Sequence, residues 1–133
     1  MGIVVGYVAN PEGRAALQRA GEAAVRLGAP LVVVHSRRPG READAEEAKQ
    51  LEALHEEVRG RLSAAGLGHE VRDVPDSEDP ADDLITAAEE SGAALIVIGL
   101  RRRTPVGKLI LGASAQRILL DAPCPVLAVK PED

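Results

Sequence analysis

IVVGYVANPEGRAALQRAGEAAVRLGAPLVVV, residues 3 to 34, holds a strand, a helix and a second strand in order, and the rest of the chain continues that alternation. Ile3 to Val8 is β-branched and apolar, and Asn10-Pro11 follows, Asn suiting an N-cap and Pro the first helical position. Leu17, Ala20, Ala24 and Leu27 then recur at steps of three and four, one face of a helix, and Gly28 is placed to terminate it in the left-handed region. Leu31 to Val34, entered through Pro30, is too short for a helix and too uniformly apolar for a half-exposed strand. It reads as a parallel strand buried on both faces.

Downstream, Leu51, Leu54, Val58 and Leu62 mark the inner face of a long polar helix ending near Gly66, with the acidic run Glu42 to Glu57 as its wet side. Glu70 to Val74 alternates polar and apolar residues, which places it at a sheet edge with one wetter face. Asp79-Pro80 restarts a helix, with Asp82 and Asp83 favoured at the positive end of its dipole. Ala81, Leu84, Ile85 and Ala88 face inward, Ser91-Gly92 stops the helix, and Ala93 to Ile98 is the most apolar strand. After a connection with no convincing period from Gly99 to Ala113, Ser114 opens a last helix with Ala115, Ile118 and Leu119 inward. Pro123 and Pro125 then lead into the strand Val126 to Val129. Five strands alternating with four helices predict an α/β fold, an open parallel sheet covered on both faces and wound by right-handed crossovers.

The chain of 133 residues fits one domain spanning 1–133, and 45% apolar with 28% charged residues is the composition of a globular protein. No apolar run approaches the roughly 20 residues that cross a bilayer, so no membrane partner is expected. Met1 to Val5 lacks the features of a secretory signal, so the expected location is cytoplasmic. A net charge of −5 repels a polyanion, and Tyr7 is the only Phe, Tyr or Trp on which a base could stack. Nucleic acid is excluded as an expected partner. Cys124, flanked by Pro123 and Pro125, has no disulfide partner and reads as a small buried hydrophobe. His35, His55 and His69 lack the spacing of a metal motif, so no metal is expected. Neither a G-x-S-x-G elbow nor a Walker A sequence occurs, so no catalytic residue can be named.

In open α/β sheets ligands bind beyond the carboxyl ends of the strands where strand order reverses, so the loops there carry the candidate site. At about fifteen residues, the connection from Gly99 to Ala113 has the length at which a loop points to function. Gly99, Gly107 and Gly112 could present backbone N–H groups to phosphate ahead of the last helix, or simply make turns. Arg101, Arg102, Arg103, Thr104, Lys108 and Ser114 share the segment, as an anion site or as a solvated basic face. Ser114 reads equally as a plain N-cap.

The segment VIGLRRRTPVGKLILGASAQRILLDAPCPVLAVK, Val97 to Lys130, together with IVVGYVANPEGRAALQRA at the start, resembles the universal stress protein (UspA) family over essentially the whole length. The resemblance implies a Rossmann-like sheet of strand order 3-2-1-4-5 and a homodimer formed through Val126 to Val129. ATP-binding members of the family carry G-x2-G-x9-G followed by Ser or Thr, and an Asp at the end of the first strand. Here Gly99 and Gly112 hold the outer glycine positions, Arg102 replaces the middle one, Ala113 replaces the hydroxyl residue, and Val8 stands in place of the Asp.

Two readings follow. In one, the chain is a regulatory or interaction module with a degenerate ATP loop, no certain cofactor and an unidentified protein partner. In the other, it senses ATP, another adenine nucleotide or phosphate, with Arg102 supplying the anion contact. Slow ATP hydrolysis would need a positioned water and usually a metal, and no residue is identified for either.

Overall fold

The computed structural model describes residues 1–37, 44–102 and 109–131. Strand β1 (Ile3–Gly6) leads into helix α1 (Pro11–Leu27), then β2 (Leu31–Ser36), α2 (Ala45–Ala64), β3 (His69–Val74), α3 (Pro80–Ser91) and β4 (Leu95–Gly99). Two short strands follow, β5 (Arg101–Arg102) and β6 (Leu109–Ile110), before α4 (Ala113–Asp121) and β7 (Val126–Val129). Five strands form one parallel sheet in the order β3-β2-β1-β4-β7, which is the expected 3-2-1-4-5, and β5 pairs antiparallel with β6.

Alternation along each central strand divides the core into two. Ile3 and Val5 of β1, Leu31 and Val33 of β2, and Val97 of β4 pack with Ala16, Leu17, Ala20 and Ala24 of α1 and Leu51, Val58 and Leu62 of α2. Val4, Val32, Val34, Ile96 and Ile98 point to the other face, beneath Ala81, Leu84, Ala87 and Ala88 of α3 and Ile118 of α4. Successive side chains leave a strand on opposite sides, so strands covered on both sides must be apolar at every position. Gly21 lets α2 lie close on α1, because a Cβ there would stand 2.8 Å from Val58 Cγ1.

The expected helix ends are present. Asn10 Oδ1 accepts from Gly13 N at 2.7 Å, Asp79 Oδ1 accepts from Ala81 N at 3.0 Å, and Gly28 and Gly92 close their helices with φ of 65° and 60°. The edge placement of the third strand also holds, with β3 outermost.

Three expectations need correction. The connection after β4 contains a two-stranded ribbon, Arg101 opposite Ile110 and Arg102 opposite Leu109, where no period was visible; two residues per strand are too few to show one. Ser114 is not the N-cap of α4: Gly112 caps it in extended backbone without a side-chain hydrogen bond, and Ser114 is the second helical residue. Val8 lies beyond the end of β1, since the strand stops at Gly6 so that the chain can turn into α1.

Candidate functional site

At the carboxyl end of the sheet, β1 and β4 are neighbours whose connections leave in opposite directions, α1 toward β2 and the ribbon toward β7. This is the switch point at which α/β sheets bind ligands. The opening turn of α1 sits over it. A Cβ on Gly13 would lie 2.0 Å from Val8 O, and one on Gly99 would lie 2.1 Å from Glu12 O. Both glycines are therefore required by close backbone contact, and Gly99 has a steric duty whether or not a ligand is bound.

The structure brings Val8 and Gly99 against the same turn of α1. Val8 is 47% exposed, and its carbonyl accepts from Asn10 N at 3.0 Å. Its side chain offers no hydrogen bond, so the residues present do not fit a nucleotide held through a carboxylate at this position. Leu100 N donates to Val129 O at 2.8 Å, which fixes the exit from β4, and the ribbon returns the chain to Gly112. Ala113 and Ser114 open α4 with both side chains exposed, and Gln116 Nε2 donates to Leu111 O at 3.0 Å. Gly112 caps α4 without a side-chain hydrogen bond, so among the described residues the opening turn of α4 is a helix N-terminus suited to phosphate oxygens. Arg101 is exposed, and its Nε lies 3.6 Å from Glu12 Oε1, so a carboxylate already faces that guanidinium. Arg103, Thr104, Gly107 and Lys108 lie outside the described residues, and for Arg102 the description is its backbone pairing.

Two polar groupings were not anticipated from the sequence. Asp83 on α3 accepts from Ser36 Oγ at the end of β2 and from Ser77 Oγ in the β3–α3 connection, both at 2.6 Å, and Ser77 is buried. The second is a chain of rings in which Tyr7 packs between His35 and His55, and His55 in turn meets His69. The Tyr7 ring lies 4.9 Å from His35 and 5.3 Å from His55, and His55 Nε2 lies 2.8 Å from His69 Nε2. Burial pushes the pKa of all three imidazoles down, foremost among the causes. At His35, Arg37 adds to that depression and Asp73 opposes it; Asp73 lies 3.9 Å from His35 Nδ1 but 2.8 Å from Arg37 Nε. Tyr7 is pushed up by burial and by the charge of Glu52. A sequence signal for His55 existed, since it shares the inward spacing of Leu51, Val58 and Leu62. None linked it to His69, because that contact depends on how α2 crosses β3.

Cys124 is half-buried against the α3–α4 face, and burial raises its pKa against the opposing hydrogen bond from the Ile96 backbone. A thiol held protonated is unreactive, in keeping with its reading as a packing residue. Among the described residues, no helix is long and apolar enough to cross a membrane.

Comparison with known proteins places this geometry. The sequence model of the universal stress protein family matches residues 1–130. Over 129 residues the chain is 45% identical to a universal stress protein of Mycolicibacterium smegmatis, with 97% of each covered. A solved universal stress protein from Archaeoglobus fulgidus is similar with a TM-score of 0.71 and 32% identity over 98% of both chains. A universal stress protein structure from the same organism in complex with dAMP gives a TM-score of 0.67 and 27% identity, again over 98% of both chains.

Proposed function

The chain belongs to the universal stress protein family, and from that premise we propose that it is a non-catalytic regulatory module, acting by interaction, whose switch-point crevice does not single out adenine. The observation that carries this reading is Val8. It follows β1 where ATP-binding members have an Asp, and an exposed isopropyl group cannot replace a carboxylate that accepts hydrogen bonds. The Glu12 carboxylate beside Arg101 supports it further, because it offsets the cation that a polyphosphate would seek. Interaction with a second copy fits the other end of the sheet. Among the described residues β7 is an edge strand, and Leu127 on it and Leu119 and Leu120 on α4 are exposed, a surface suited to a homodimer formed through Val126–Val129. Sedimentation as a monomer at micromolar concentration would overturn that part.

A second reading has its own support. The dAMP complex of the similar Archaeoglobus protein and the uncapped start of α4 favour a phosphate-dominated site in which Arg102 supplies the cation. Melting followed by circular dichroism, with MgATP, AMP, dAMP and tripolyphosphate, separates the two, since a ligand at a hundredfold excess over its Kd stabilises by about 2.7 kcal/mol. No shift with any ligand is the outcome expected of the interaction module. Equal shifts with ATP and tripolyphosphate, lost in Arg102→Ala, establish the anion site instead. A shift with ATP alone refutes both, because it requires adenine recognition without the carboxylate.

A further inference from the structure

His55 lies on the inward face of α2 and His69 opens the edge strand β3, and their Nε2 atoms approach to 2.8 Å with ring planes inclined by 42°. Two imidazole nitrogens on adjacent positions of one metal ion, each about 2.0–2.1 Å from it, stand about 2.9 Å apart when the angle at the metal is near 90°. We propose that His55 and His69 form a two-histidine chelate for a borderline divalent transition-metal ion of the Ni²⁺ or Cu²⁺ type, clamping α2 to the edge of the sheet. This site uses none of the residues named at the switch point, and the proposal does not depend on how that crevice is read.

The pair is already held in place. β3 is locked in register beside β2, with His69 opposite Leu31, and the His55 ring rests edge-on against Tyr7. The backbone positions are therefore set in advance, and binding asks only for the imidazole rings to turn. Both imidazoles are half-exposed, so an ion with its remaining waters can reach them. No third His, Cys, Asp or Glu joins the pair among the described residues, so solvent completes the coordination. Without metal, one imidazole donates its Nε2–H to the other. With metal, that hydrogen moves to Nδ1, both Nε2 lone pairs turn to the ion, and two neutral imidazoles release no net proton.

The surrounding charges allow it. Burial, foremost, keeps both imidazoles toward the neutral form that binds metal. The positive charge of Arg59 acts on both in the same sense, and the charge of His69 further disfavours protonation of His55. Arg59 is in turn paired with Glu56 at 3.2 Å, so the incoming ion does not face an uncompensated cation. From the β1 side the neighbouring group is Tyr7, kept as the neutral phenol by its raised pKa.

The test is a titration of tag-free protein with Ni²⁺, read by calorimetry and by hydrogen exchange of the β3 amides. Saturable binding of one ion, increased protection of β3, and at least tenfold weaker binding in both His55→Gln and His69→Gln are expected. His35→Gln, on the far side of Tyr7, should bind as the parent does. Imidazole ¹⁵N spectra of the unmutated protein provide a readout free of folding artefacts: Ni²⁺ should broaden His55 and His69 Nε2 ahead of either His35 nitrogen. Absence of binding, or binding undiminished in either of the two variants, overturns the proposal, as does broadening that starts at His35.

Discussion

Gly99→Ala asks whether the first glycine of the loop is there for a ligand or for the fold. A methyl group at this position would stand 2.1 Å from Glu12 O and 2.7 Å from Glu12 C, and both atoms belong to the backbone of the opening turn of α1. Main chain cannot rotate away as a side chain does. That turn is also held by Asn10 and by the contact of Gly13 with Val8 O, so relief requires α1 to shift as a body. Inserting one carbon into such a contact costs about 3 kcal/mol, the upper end of ordinary overpacking. For a domain of this size that lowers Tm by about 10 °C. Thermal melting by far-ultraviolet circular dichroism without ligand is the assay, the chain having no tryptophan to report by fluorescence. Gly60→Ala is the matched control. Gly60 lies exposed within α2 with nothing within 4 Å of an added Cβ, so alanine there should stabilise by about 0.5–1 kcal/mol. A Gly99→Ala protein that melts with the parent would refute the steric argument and return Gly99 to a purely ligand-binding role.

Removing the Asp83 carboxylate as Asp83→Ala strands the buried Ser77 hydroxyl and the Ser36 hydroxyl together, and should cost about 1–3 kcal/mol in urea unfolding without a change of slope. Ser36→Ala alone should cost less, since Asp83 keeps its bond from Ser77. Leu62→Ala, which empties a fully buried position between α2 and the sheet, should cost about 2–5 kcal/mol by the same measurement. Acid should destabilise the fold through the histidines. Their folded-state pKa values lie below the ordinary 6.5, so the folded protein takes up these protons less readily than the unfolded chain. Stability from this source is full above that value and falls as pH drops through it toward the depressed values. Chemical denaturation across that interval should show a shallower decline in His55→Gln, and an unchanged slope would contradict the assignment.

The layering is dictated by the residues themselves. Near-continuous apolar runs in Ile3–Val5, Leu31–Val34 and Ile96–Ile98 can be satisfied only by strands covered on both faces, and helices between them are what supply the cover. Asn10-Pro11, Asp79-Pro80, Gly28 and Gly92 fixed helix ends because caps act within a few residues of chain. Val8, Arg102 and Ala113 were singled out in the same one-dimensional way, as the positions where the sequence departs from the spacing that the family resemblance implies. What spacing along the chain does not carry is approach between distant segments. The steric duty of Gly99 depends on where α1 lands over β4, and the Ser36–Asp83–Ser77 group depends on α3 meeting the end of β2. His55 and His69, fourteen residues apart, showed no metal-like spacing, yet the crossing of α2 over the edge strand puts their nitrogens in contact. Periodicity and caps are local consequences of backbone geometry and can be read residue by residue. Contacts between elements are set by how whole faces pack, and only the tertiary structure decides them.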